Sequence, residues 1–123
     1  MKYSKFLVAT DVHGDEQDTE ANHALFKFLN IWKPTIRIMG GDLWDFRPLR
    51  RKASPDEQRE SMKADFEAGV EWFGEFNPTH FLRGNHDERL WELAENGDGV
   101  RADYANELIG DIEKMVKKHR CQM

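Results

Sequence analysis

The hydrophobic positions along the chain form three short apolar runs, and segments with helical spacing lie between and after them. The three runs occupy residues 5–10, 35–39 and 79–83, and glycine or polar residues follow each of them. Short apolar runs that end at turn residues predict buried strands. We expect the first run to be buried on both faces, as strands of parallel sheets are.

The intervening segments carry apolar residues three or four positions apart, the spacing of a helix face. A first helix is predicted over residues 21–32, with Asp18 or Thr19 as its cap and Pro34 after its end. Residues 54–57 form a capping-box sequence that predicts the start of a second helix, with Met62, Phe66, Val70 and Phe73 on its apolar face. Residues 91–93 indicate a short helix or turn, and residues 104–119 a final amphipathic helix.

The predicted order is strand, helix, strand, helix, strand, helix. This alternation is typical of an α/β fold with right-handed crossovers and a central parallel sheet. In such sheets, ligands bind at the carboxyl ends of the strands. The residues that directly follow the three runs are therefore the first candidates for a functional site.

Composition narrows the class of protein. A chain of 123 residues suffices for one small domain, and its net charge of −5 excludes an overall basic surface for nucleic acid. The single cysteine, Cys121, cannot form an internal disulfide, which favours a reducing compartment. No apolar stretch has the length of a membrane span or a signal peptide, so we predict a cytoplasmic protein without a membrane partner.

The first two strand ends carry carboxylates in settings that suit metal binding. Asp11 and His13 lie two residues apart, and in extended chain such residues point to the same side. Asp42 follows the glycine pair at 40–41, which leaves room beside a carboxylate that could bridge two cations. Taken singly, the first pattern is more typical of the start of a polar loop, and the second is more typical of an ordinary Gly-Asp turn.

The third strand end carries four consecutive residues with complementary chemistry. Gly84 is followed by Asn85, whose amide oxygen can bind a metal, and by His86, which can move protons near neutral pH. Asp87 can hold the imidazole of His86 in one tautomer. The alternative is a turn built on Gly-Asn.

Together the three strand ends predict a dinuclear metal site. Mixed oxygen and nitrogen ligands suit Mn, Fe, Co, Ni or Zn better than calcium. Two divalent ions would outweigh the charges of Asp11 and Asp42 and attract a phosphate that the metal-free site would repel. Such an ion pair can activate a water and bind phosphoryl oxygens.

These motifs, D-x-H, G-D-x-x-D and G-N-H-D in this order, resemble the signature of the calcineurin-like metallophosphoesterases. The resemblance covers residues 5 to 92, and residues 85–92 are similar to phage-type members. It implies that Asp11 and His13 bind one divalent ion and that Asp42 bridges two. Asn85 would bind the second ion, and Asp45 would lie outside the direct ligands.

The resemblance also implies catalytic roles and an activity. His86 would contact the phosphate and protonate the leaving group, with Asp87 as its support. The implied function is the metal-dependent hydrolysis of phosphomonoesters or phosphodiesters, with nucleotides or nucleic acid among the candidate substrates. The alternative is a non-catalytic, phosphoesterase-like binding or complementing subunit.

The family completes its site with later histidines and a G-H-x-H pair, which this sequence lacks. His119 stands among basic residues, and His23 and His80 suit structural roles. The family fold is a four-layer α/β/β/α sandwich, so we interpret residues 1–123 as a single, partial domain that supplies its first half. A fragment, a split or truncated gene, a chain completed by a partner and a degenerate homologue all remain open, and intact first-half motifs favour truncation or a split.

Two further expectations concern surfaces. The loop after the second motif carries Arg47, Arg50 and Arg51, which are candidate contacts for substrate phosphates, although a solvated loop is the alternative. Trp44 and Phe46 could stack on a base or cover the core. Half a sandwich would leave one sheet face uncovered, so we expect a homo-oligomer or a complementing second chain.

Overall fold

Three parallel strands and five α-helices lie along residues 2–123, the part of the chain that the computed structural model describes, and one or two helices follow each strand. The elements are β1 (Phe6–Ala9), α1 (Thr19–Trp32), β2 (Ile36–Met39), α2 (Pro55–Gln58), α3 (Lys63–Phe76), β3 (His80–Phe81), α4 (Asn85–Asn96) and α5 (Gly99–Lys118). Single 3-10 turns lie at Gly14–Glu16 and Arg47–Leu49. The predicted α/β class and order of elements are confirmed.

Local signals in the sequence set most of the helix ends. The side chain of Asp18 accepts hydrogen bonds from the backbone N–H groups of Glu20 and Ala21 and so caps α1. Asn77 ends α3 in the left-handed conformation, with φ of 50°, which asparagine tolerates well. Turn residues therefore separate the helices from the strands that follow.

Two helix predictions need correction. The capping box at Ser54 forms, but its helix lasts one turn, and the long helix begins again only at Lys63. The hydroxyl of Ser61 accepts a hydrogen bond from the backbone N–H of Lys63, which gives the chain a local alternative to a continuous helix. The segment around Trp91, predicted as a short helix or turn, belongs to the twelve-residue helix α4.

The sheet has the order β1-β2-β3, and both strand pairs are parallel. Because β-α-β crossovers are right-handed, this order places α1 and α3 on the same face, which we call the inner face. Met39 and Phe81 point into the inner face and are buried. On the opposite, outer face, Phe6 is 58% exposed and Val8 is 52% exposed, so the expectation that the first strand is buried on both faces was wrong.

The core between the sheet and the helices is rich in aromatic residues. Trp44 and Phe46 are fully buried there and stack with ring centroids 5.6 Å apart, which resolves their role in favour of the core. Helix α5 contributes Ile112 and neighbouring apolar residues to the same cluster. After α5, the backbone N–H of Phe81 donates to Gln122, so the last residues run beside β3. Within residues 2–123, no helix has the length and apolar character needed to cross a membrane.

Candidate metal centre

The loops that follow β1 and β2 run side by side at the carboxyl edge of the sheet. The backbone N–H of Asp11 donates to the carbonyl of Gly41 over 3.0 Å, and that of His13 donates to the carbonyl of Asp42 over 2.9 Å. A third bond joins Gly14 to Leu43 over 2.8 Å. The predicted ligands of both loops are thus fixed relative to one another by main-chain hydrogen bonds.

The backbone is strained at three of the predicted ligands. Asp11, His13 and Asp42 have φ values of 60°, 56° and 55°, in the left-handed region that residues other than glycine rarely adopt. The two residues of the first loop therefore do not come together by the alternation of an extended strand, as the sequence suggested. Strain of this kind persists where surrounding contacts enforce it, and it concentrates at functional sites.

Asp11, His13 and Asp42 form one candidate group of metal ligands. Each offers an oxygen or nitrogen donor, and these atoms lie within 4.8 Å of one another. Nε2 of His13 is 3.3 Å from Oδ1 of Asp11. A hydrogen bond from the hydroxyl of Thr10 is the main cause that lowers the pKa of Asp11, and His13 adds to the effect. The carboxylate of Asp11 is therefore ionised, as a metal ligand must be.

Asp45 holds both histidines of the site. Its Oδ1 lies 3.0 Å from Nδ1 of His13 and 3.2 Å from Nδ1 of His86. The two imidazole rings meet edge to face, with centroids 4.7 Å apart. An imidazole that donates its Nδ1 proton to Asp45 keeps the Nε2 lone pair available, which is how carboxylates commonly orient metal-binding histidines. The carboxylate and imidazole atoms of these three residues also lie within 4.8 Å of one another.

The position of Asp45 is itself enforced from three sides. Nη1 of Arg47 donates to its Oδ2 over 3.1 Å, and Nη1 of Arg89 donates to its carbonyl over 2.9 Å. Its backbone N–H donates to Oδ1 of Asp65, and that of Phe46 donates to Oδ2 of Asp65. These contacts therefore fix the position of Asp45 between the two histidines and the two arginines.

Sequence reasoning missed the role of Asp65. This residue is 2% exposed, and burial raises its pKa while the two backbone donors oppose the rise. An added Cβ at Gly14 would lie 1.6 Å from its Oδ1, so glycine is required where the first loop passes it. The one available signal was a carboxylate on the apolar face of a helix, three residues after Met62.

Asp87 serves the backbone of the loops rather than the imidazole of His86. Its Oδ2 accepts hydrogen bonds from the N–H groups of Asp42, Leu43 and Gly84, and its Oδ1 accepts one from Trp44. The structure differs here from the expected support of His86, which Asp45 provides instead. Burial raises the pKa of Asp87 to about 6, although these backbone donors lower it. Asp87 thus joins the second strand end to the third.

The third strand end approaches the carboxylate of Asp42 directly. Its Oδ1 accepts a hydrogen bond of 2.9 Å from the backbone N–H of His86. An added Cβ at Gly84 would lie 2.2 Å from the same oxygen, so only glycine permits this approach. Asn85 stands between these two residues as the first residue of α4, and it is exposed. The predicted ligands of all three strand ends are therefore neighbours.

The three predicted phosphate-binding arginines differ in their environment. Arg47 pairs with Asp15, Glu16, Asp45 and Glu60, and its hydrogen bonding to the carboxylate of Asp15 is the main cause that raises its pKa. Arg50 pairs with Glu57. Arg51 is exposed and makes no ion pair within the described part of the chain. Of the three, Arg51 alone keeps an uncommitted guanidinium.

The remaining histidines lie away from these groups. The ring of His80 contacts the hydroxyl of Thr79, and His23 lines a cavity beside Trp72. The ring of His119 packs edge-on against Phe73, with centroids 5.4 Å apart. Among residues 2–123, His13 and His86 are therefore the two histidines at the candidate centre.

Comparison with known protein families finds a match to the model of the calcineurin-like phosphoesterases over residues 4–118. This match extends from the residues before β1 to the end of α5 and includes every motif described above. No curated protein and no solved structure gives a significant match. Because the family model covers nearly the whole chain, the chain belongs to the calcineurin-like phosphoesterase family.

Proposed function

We propose that this chain forms the metal centre of a hydrolase that cleaves phosphomonoesters or phosphodiesters. The observation that carries the proposal is the convergence of Asp11, His13 and Asp42, with donor atoms within 4.8 Å of one another on strained backbone. These three residues would hold one divalent ion, and Asp42 and Asn85 would contact a second. When bound, the ions would activate a water and neutralise phosphate oxygens.

The donor set fits divalent transition ions. Carboxylate oxygens combined with an imidazole nitrogen suit Mn, Fe, Co, Ni or Zn. The contact with Asp45 supports His13 as a metal ligand. It engages Nδ1 of His13, so that Nε2 faces the carboxylate of Asp11. Asp45 would then act as a positioning residue for a ligand rather than as a ligand itself.

His86 would supply the proton to the leaving group. Its Nδ1 lies 3.1 Å from the carbonyl oxygen and 3.2 Å from Oδ1 of Asp45, so Nε2 is the atom left for the substrate. The carboxylate of Asp45 would stabilise the charged imidazolium that such a step requires. General acid catalysis by a positioned histidine contributes about 10²–10⁴-fold in rate.

Metal titration by calorimetry tests the assignment. We expect Asp42→Asn to weaken the binding of Mn²⁺ by more than about 10-fold, because a central charged ligand is lost. Asp111→Asn, a change of the same type at an exposed position on α5, should leave the affinity unchanged. Circular dichroism would establish that both variants fold. Equal affinities of wild type and Asp42→Asn would contradict the proposal.

The outer face of the sheet favours a second candidate function. Phe6, Val8 and Leu82 are each more than half exposed on this face. Such a surface is suited to a subunit that binds or completes a phosphoesterase made with another chain or another copy. Metal binding without turnover, in every complex that the chain forms, would support this candidate over the enzyme.

A further inference from the structure

Two adjoining cavities form a groove beside the candidate metal centre. The larger has a volume of about 810 Å³ and the smaller about 380 Å³, and both are lined by Leu49, Arg51, Leu93 and Arg101. The groove lies between the segment that follows the second motif and the first turns of α5. Its size is in the range of small-molecule and cofactor sites.

Three arginines line this groove, and Arg89 among them donates a hydrogen bond to the carbonyl of Asp45. They are Arg51, Arg89 and Arg101, and within residues 2–123 none of them pairs with a carboxylate. The lining also contains three acidic residues, Glu60, Glu92 and Asp98, of which Glu60 is engaged by Arg47. A guanidinium presents a fork of donors that matches phosphate oxygens, so the groove suits an anion with spaced phosphates.

Apolar side chains also contribute to the lining of the groove. Leu49, Met62 and Leu93 line it from three different segments of the chain. At its rim, Tyr104 is 42% exposed and Val100 is 82% exposed, although both are large apolar side chains. An exposed aromatic ring beside arginines is the combination on which nucleobases stack.

Helix α4 connects the groove to the candidate metal centre. His86 lies in its first turn, and Arg89 and Leu93 follow three and seven residues later on the same side. At a rise of about 1.5 Å per residue, Leu93 lies about 10 Å along the helix from His86. Arg89 donates to the carbonyl of Asp45, which also faces the ring of His86, and it lines the smaller cavity.

We propose that this groove binds single-stranded nucleic acid, with the nucleotides next to the scissile phosphate placed along it. Arg51 and Arg101 would contact backbone phosphates, and Tyr104 would stack on a base. An acidic peptide would form ion pairs with the arginines, but it has no base that could stack on the ring of Tyr104. The orientation of the strand relative to the scissile phosphate rests on the proposed function. In this arrangement Arg51 keeps its predicted contact with phosphate, and Arg101 takes that role in place of Arg47 and Arg50.

Fluorescence anisotropy with a fluorescein-labelled hexathymidylate, in the presence of EDTA, tests the groove without the metal centre. We expect Arg51→Ala combined with Arg101→Ala to weaken binding by at least ~10-fold, because two charge-assisted contacts are lost. The slope of log affinity against log salt should fall by about 1.4, at about 0.7 for each phosphate contact of a single strand. Tyr104→Leu should weaken binding several-fold without changing that slope.

Lys117→Ala combined with Lys118→Ala is the matched control, because it removes two positive charges from the far end of the helix that carries Arg101. It should leave both affinity and slope unchanged. Polyglutamate of equal charge should compete poorly. Absence of metal-independent binding, equal competition by polyglutamate or equal loss in the control would each overturn the proposal. The Mn²⁺ titration of Asp42→Asn reads out the proposed function separately, so the two can fail independently.

Discussion

Asp87→Asn should destabilise the protein through the backbone of the second motif. At about pH 7.5 the wild-type carboxylate is ionised, because its pKa is raised only to about 6. A carboxamide oxygen in place of Oδ2 would keep the bonds from Asp42, Leu43 and Gly84, whereas its NH₂ group would face the N–H of Trp44. A buried donor without an acceptor costs about 1–3 kcal/mol, which we expect as the loss in unfolding free energy.

Urea unfolding followed by tryptophan fluorescence measures this loss. The midpoint should shift by roughly 1 M, since the slope for a small domain is about 1–3 kcal/mol per M. Asp87→Ala should cost more, about 4 kcal/mol, because each of four backbone donors loses about 1 kcal/mol. Glu95→Gln is exposed on the same helix and should stay within about 0.5 kcal/mol of wild type. An Asp87→Asn midpoint equal to that of the control would refute the anchoring role.

Three further predictions concern catalysis, association and the thiol. The chain alone should be inactive or very slow on an aryl phosphate with Mn²⁺, and His86→Ala should lower the turnover of a completed, metal-loaded complex about 10²–10⁴-fold; full activity of the chain alone would contradict this. The exposed Phe6 and Val8 predict concentration-dependent association in light scattering, which replacing both by serine should reduce, and a monomeric wild type would count against it. Burial raises the pKa of Cys121 from 9.0 to about 11, so at about pH 8 a thiol reagent should react ~100-fold more slowly than in urea, and equal rates would show an accessible thiolate.

Local signals in the sequence were sufficient for the order of elements and for the place of the site. Glycine, proline and asparagine mark the ends of helices and strands, so the alternation that implies a parallel sheet could be read from neighbouring residues alone. The same alternation placed Asp11, Asp42 and Asn85 at one edge of the sheet. Their roles as ligands stay predictions.

Contacts between distant segments could not be read from the sequence. Asp87 follows His86 directly, which suggested that it supports that ring, but three of its four backbone partners lie more than forty residues earlier. Asp65 likewise holds residues of a loop that precedes it by about twenty positions. The exposure of β1 depends on which elements pack on each face of the sheet. The apolar sequence of this strand does not show whether another element packs on its outer face.

The backbone hydrogen bonds that join the loops after β1 and β2 have a thermodynamic consequence. The bonds from Asp11 to Gly41 and from His13 to Asp42 join residues about thirty positions apart, so the ligands are dispersed in the unfolded chain. An ion that binds only the native arrangement must raise the melting temperature in proportion to the logarithm of its concentration over its dissociation constant. Thermal melts in a panel of divalent ions would therefore rank the metals by affinity, with no substrate and no knowledge of the reaction.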